Sequence, residues 1–81
     1  MQGYDRDTFG CRLKAKRIEK RLSVEDVASA AGLSVSMVRR CEAGRNAPSF
    51  ENAARLAQVL GCSLDYLVDL PAPSRRKQAA R

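Results

Sequence analysis

At 81 residues, the chain has room for one hydrophobic core; with 44% hydrophobic and 30% charged residues it is too apolar to be fully disordered. A formal net charge of +6 points to an anionic partner, either nucleic acid or a membrane surface. The complete lack of histidine removes the commonest general base and the commonest metal ligand, and no apolar run approaches the ~20 residues that cross a bilayer.

Residues 1–6 read as a short N-terminal extension. Four serines then punctuate the chain: Ser23, Ser34, Ser49 and Ser63 each precede a stretch of helical periodicity. Serine is a favoured N-cap because its oxygen accepts a backbone N–H that the helix leaves unpaired. Ser23 is followed by Asp26, an approximate capping box with Asp in place of Glu or Gln. Gly32, Gly44 and Gly61 stand where a left-handed residue ends a helix, and Pro48 blocks continuation from the third helix into the fourth. The spacing predicts five helices, at about 7–20, 24–31, 35–43, 50–60 and 64–69. No segment alternates with period two over a strand's length.

The predicted apolar stripes are Phe9, Leu13 and Ile18, with Leu22 in the turn; Val27, Ala28 and Ala31; and Val38 and Cys41. The fourth helix contributes Phe50, Ala53, Leu56, Ala57 and Leu60, and the fifth Leu64, Leu67 and Val68. Together they describe a compact all-α, five-helix domain over residues 7–70. A tail at 71–81, PAPSRRKQAAR, follows with four basic residues and no acid. It reads as disordered, or as a non-specific DNA arm or an extension that folds on a partner. Outside the tail, eleven basic residues face nine acidic ones, so any DNA contact by the body requires locally clustered charge.

Residues 23–44 form a helix, a turn at Gly32 and a second helix. This is a helix-turn-helix arrangement, in which the second helix can enter the DNA major groove; an ordinary packed helical hairpin has the same outline. At about 100° per residue, Val35, Ser36, Arg39, Arg40 and Ala43 share one outward arc, while Met37, Val38, Cys41 and Glu42 fill the opposite side. Two arginines, a hydroxyl and a branched apolar group are the side-chain types that read base edges. The plain alternative is a solvated helix face, which would mix its charges; here Glu42 is the sole acid between Ser34 and Phe50.

Several segments carry a family resemblance: RLKAKR at 12–17, LSVEDVA at 22–28, AGLS at 31–34, CEAG at 41–44, APSFEN at 47–52, LAQVLG at 56–61 and SLDYL at 63–67. From about Phe9 to Val68 the chain resembles the lambda-repressor/Cro-type helix-turn-helix domain of the XRE family. The resemblance implies a lambda-repressor-like five-helix fold that binds double-stranded operator DNA as a homodimer. It implies base reading by Val35, Ser36 and Arg40, with Arg39 alongside. It also implies phosphate contacts from Ser23, Ala43, Gly44, Arg45 and Asn46, through backbone N–H groups or side chains. A buried or half-buried ion pair between Arg17 and Glu42 follows from the same resemblance, against the alternative of two separate surface charges. The chain departs from the family in two places. Val24 stands where the family often has a phosphate-bonding Gln, which leaves that contact missing or moved. Val35 replaces a residue that is often polar, which suggests contact with a thymine methyl.

Cys11, Cys41 and Cys62 form no CxxC pair, so neither a zinc site nor a disulfide framework is signalled. Cys41 reads as a small core residue, Cys62 as partly buried, and Cys11 as lying on the polar side of its helix; a redox switch is the lesser reading. Val59, Tyr66 and Leu70 are candidates for a patch that a second subunit covers, against the alternative of scattered surface apolar residues. The reading is a non-enzymatic cytoplasmic transcriptional regulator without cofactor or metal: a small phage-type repressor or a restriction–modification controller. MQGYDRDTFG lacks the pattern of a signal peptide. The alternative is an antitoxin-like regulator whose main partner is a toxin protein. Membrane-surface binding is poorly supported, since helices one and four lack a broad Lys-lined apolar face.

Overall fold

The structure is a computed structural model that describes residues 5–68. Its five helices are α1 (Arg6–Glu19), α2 (Val24–Ala31), α3 (Val35–Glu42), α4 (Phe50–Leu60) and α5 (Leu64–Val68), and no strand occurs among the described residues. The fold is all-α with five helices, as the spacing predicted. Leu70 and the basic tail lie outside the described residues.

All four serines cap as the spacing required. Ser23, Ser34, Ser49 and Ser63 accept the backbone N–H of Asp26, Met37, Asn52 and Tyr66 at 2.9–3.1 Å. The Ser23 box is complete, because Asp26 in turn accepts the Ser23 backbone N–H at 3.0 Å. The helix that lacks a serine is capped by Asp5, which accepts the Asp7 N–H and the Thr8 hydroxyl. α1 therefore begins at Arg6, one residue before the sequence-based boundary. Gly32 and Gly61 end α2 and α4 in the left-handed region, at φ 73° and 66°. After α1 that conformation falls to Arg21, at φ 61°. An L side chain there costs about 1–2 kcal/mol, offset by the Arg21 and Leu22 N–H groups closing onto Ile18 and Arg17 carbonyls.

One core holds the helices together. α1 packs on α3 and α5, and α2 packs on α3 and α4. Phe9, Leu13, Val27, Val38, Leu56, Leu60, Leu67 and Val68 are buried to 1% exposure or less, each contributing about 1.5–3 kcal/mol if fully removed from water. Gly10 lets α1 lie directly on the end of α3: a Cβ there would collide with the Cys41 carbonyl oxygen and press on that of Glu42. Nothing local in the sequence marks this close approach.

Two predicted core residues are not in the core. Ile18 is 57% exposed and Phe50 65% exposed. Ile18 comes nine positions after Phe9, about 900° or half a turn away, so it points opposite the buried stripe. Phe50 is the first residue of α4, and helical side chains lean toward the N-terminus; its ring extends past the end of the core. Leu22 and Leu64 are half-buried at the core margin.

A candidate nucleic-acid interface

The helix-turn-helix unit is fastened from beneath. Val27, Ala28 and Ala31 anchor α2, and Val38 and Cys41 anchor α3. Between them the Gly32 turn is tightened by the Leu33 N–H on the Ala28 carbonyl at 2.9 Å. With one side of α3 fixed this way, the other side must face water. Ser36, Arg39, Arg40 and Ala43 are exposed, whereas Val35 is half-buried and packs against the core. Part of the Val35 side chain therefore serves packing, and only the rest is available to a ligand.

The two arginines of the arc differ. Arg39 reaches Glu25 on α2 at 3.3 Å, with both side chains more than 60% exposed; a pair so hydrated holds weakly. The Arg40 side chain has no hydrogen bond or ion pair among the described residues. Among the described residues its guanidinium stands unpaired at the middle of the arc.

The loop after α3 is arranged differently from a backbone phosphate cradle. The N–H groups of Ala43, Gly44 and Arg45 bond the carbonyls of Arg39, Cys41 and Arg40 at 3.0–3.1 Å. Those three donors are occupied, and the C-terminal pole of a helix carries partial negative charge. The Asn46 side chain hydrogen-bonds the Cys41 thiol, whose pKa is nevertheless pushed up, chiefly by burial. The exposed Arg45 side chain is left to meet an anion in this loop, with the Asn46 backbone N–H, which bonds no group among the described residues. At the opposite end of the unit, Ser23 is exposed; its hydroxyl oxygen caps α2 and its O–H also faces the Asp26 carboxylate.

Arg17 and Glu42 form the ion pair that the resemblance implied. Arg17 Nε and one terminal nitrogen meet both Glu42 oxygens at 2.6 and 3.1 Å, and the other terminal nitrogen donates to the Leu22 carbonyl at 3.0 Å. The side chains are 14% and 9% exposed, and the hydrogen bond to Glu42 raises the Arg17 pKa above its ordinary value. Beside the pair opens a cleft lined by Lys14, Arg17, Val24, Arg39, Glu42 and Ala43. Lys14 was not singled out by the sequence. No local signal marks it, because the cleft exists only where α1 lies against α3.

Away from this face, Tyr66 is 36% exposed. Its ring lies under the Arg12 guanidinium at 4.9 Å and the Lys16 ammonium at 5.4 Å. Val59 is half-buried against the core. Cys11 is exposed and Cys62 half-buried, both as free thiols; burial raises the Cys62 pKa, opposed by Lys16 and Lys20. Among the described residues no cluster of His, Cys, Asp or Glu could hold a metal ion, and no helix is long and apolar enough to cross a membrane.

The family model HTH_3, helix-turn-helix, matches residues 13–67. Comparison with curated proteins finds no match. Among solved structures, the restriction–modification controller protein C.AhdI from Aeromonas hydrophila superposes with a TM-score of 0.74 at 36% identity, covering 78% of this chain and 96% of that one. The master regulator for biofilm formation SinR, solved in complex with DNA, gives 0.72 at 31% identity, covering 75% and 98%. The P22 c2 repressor, solved with a synthetic operator, gives 0.72 at 28% identity, covering 74% and 91%.

Proposed function

The chain belongs to the HTH_3 helix-turn-helix family, and from that premise we propose that it is a DNA-binding transcriptional regulator that recognises an inverted-repeat operator as a homodimer. The observation that carries this reading is the outward face of α3: exposed Ser36 and an Arg40 side chain unpaired among the described residues, on a helix whose other side is locked into the core. α3 enters the major groove; Ser36, Arg39 and Arg40 meet base edges, and the exposed part of Val35 meets a thymine methyl. Ser23 and Arg45 hold phosphates to either side through their side chains, with Ala43, Gly44 and Asn46 shaping the loop that carries Arg45. The activity is binding without catalysis, at cytoplasmic DNA.

The dimer places two recognition helices about 34 Å apart, one turn of B-DNA. Val59 and Tyr66, with Leu70 beyond the described residues, supply its contact surface. Footprinting on the DNA upstream of the chain's own gene tests both parts together. The expected result is two protected half-sites about one helical turn apart, with a dimer mass on the duplex. Equal affinity for that DNA and for scrambled duplex overturns sequence-specific recognition. A protein that stays monomeric both free and on DNA overturns the dimer.

A further inference from the structure

We propose that Arg55 of α4 is a positioning residue for the start of α3: its guanidinium covers the C-terminal pole of α2 at the Gly32 turn and so steadies the angle at which Val35 and Ser36 are presented. The proposal rests on the DNA-binding reading above and assigns to it a residue that touches no DNA. α2 ends at Gly32 in the left-handed region, with no basic residue in its last turn. Among the described residues the Ala30 and Ala31 carbonyls accept no backbone N–H, so partial negative charge collects there. One terminal nitrogen of Arg55 lies over this turn, 3.6 Å from where a Cβ on Gly32 would stand. The other faces Glu51, one turn earlier on α4, at 3.4 Å, which aims the fork at the turn.

The two ends of α3 are held by different means. Its C-terminal end is clamped by α1, through the Arg17–Glu42 pair and the approach of Gly10 to the Cys41 and Glu42 carbonyls. Its N-terminal end follows directly from the turn, which the Leu33 N–H closes on the Ala28 carbonyl at 2.9 Å. Loosening that bond frees the first turn of α3, where Val35 and Ser36 stand, to tilt. α4 offers a comparison within the same chain. It too ends in a left-handed glycine, Gly61, without a basic residue in its last turn. There the Cys62 N–H closes on the Ala57 carbonyl at 3.1 Å, and Lys20 of α1 lies over Gly61. Each of these helix ends thus takes from another helix the cation that its own last turn lacks, and of the two only the Gly32 end leads into α3.

The test pairs amide hydrogen exchange of the free full chain with DNA titrations followed by fluorescence anisotropy, on a duplex carrying the footprinted half-sites and on a scrambled one. Arg55→Met, which keeps the stem and removes the charge, is expected to speed Leu33 amide exchange about two- to fivefold. Half-site binding should weaken by a similar factor relative to scrambled duplex. The dependence of log K on log salt should keep its wild-type slope, because no phosphate contact is lost. Arg55→Lys should behave as wild type, since either cation serves a helix C-terminus. Lys20→Met is the control: it should speed Cys62 exchange and leave both Leu33 exchange and the half-site preference unchanged. Wild-type Leu33 exchange in Arg55→Met overturns the proposal and leaves the DNA-binding reading standing. Equal acceleration at Cys62 in that variant also overturns it, as a general loss of stability. So does a salt slope shallower by about one unit per subunit, which would make Arg55 a phosphate contact. Faster Leu33 exchange with an unchanged half-site preference overturns the positioning role. A wild-type chain that binds neither duplex overturns both readings.

Discussion

Arg17 and Glu42 meet face to face, guanidinium edge to carboxylate, at 2.6 and 3.1 Å across the contact between α1 and α3. The geometry sets two planar groups in register, which a lysine could not reproduce. The third Arg17 nitrogen holds the Leu22 carbonyl, so one side chain ties together α1, the turn after it, and α3. Replacing Glu42 by Ala would leave a largely buried cation without its partner. The expected cost is roughly 3–5 kcal/mol, read as a lower urea midpoint. Arg17→Met with Glu42→Leu should recover much of it, because two apolar groups leave no orphaned charge. A single Glu42→Ala variant as stable as wild type would refute the structural weight given to the pair.

Gly10 makes an unusual prediction for a helical glycine. Alanine in a helix interior is normally favoured over glycine by about 1 kcal/mol. At Gly10 the added methyl would strike the Cys41 carbonyl oxygen, and both atoms belong to or sit on backbone. α1 and α3 must separate, at an overpacking cost of roughly 1–3 kcal/mol. Thermal melts of Gly10→Ala should show destabilisation; a stabilised variant would mean the helices part freely.

On the proposed reading, base reading falls to Arg40 and phosphate holding to Arg45. Arg40→Ala should cost roughly 1–3 kcal/mol on the operator and much less on scrambled duplex. Arg45→Ala should weaken both alike and make the salt slope shallower by about one unit per subunit. Titrations on both duplexes at several salt concentrations distinguish the two. Equal losses on both duplexes for Arg40→Ala would remove it from the base-reading set.

The capping carboxylates set an acid limit. Hydrogen bonds from Ser23, backbone first, lower the Asp26 pKa, and those from the Thr8 hydroxyl and the Asp7 N–H lower that of Asp5. Because each is depressed below its unfolded value of about 3.9, its contribution is complete above that value and declines as pH falls through the folded pKa. Asp26→Ala should therefore melt below wild type at pH 7, with the gap narrowing below about pH 4. A gap constant down to pH 2 would exclude the carboxylate charge as its source.

The punctuation of this chain is legible in its sequence because capping closes within one turn. Ser23, Ser34, Ser49 and Ser63 each bond a residue three positions on, so spacing alone identifies the contact, and Gly32 and Gly61 carry their conformation in having no Cβ. The arc of Ser36, Arg39 and Arg40 was equally legible, since helical periodicity assigns sides once a core side is known. Ile18 and Phe50 show where that arithmetic needs care, one lying off the stripe and the other at a helix end. Gly10 and Lys14 belong to another category. Each matters because of α3, a helix far along the chain: Gly10 through the carbonyls of Cys41 and Glu42, Lys14 through the cleft it shares with Arg39 and Ala43. Nothing local marks a lysine as facing a recess or a glycine as a point of contact. The sequence by itself determined which segments are helical and which side of each is apolar. Only the packing of α1 across α3 decided which side chains of α1 line the cleft beside α3, because that depends on the distance between two helices and not on the order of residues within either.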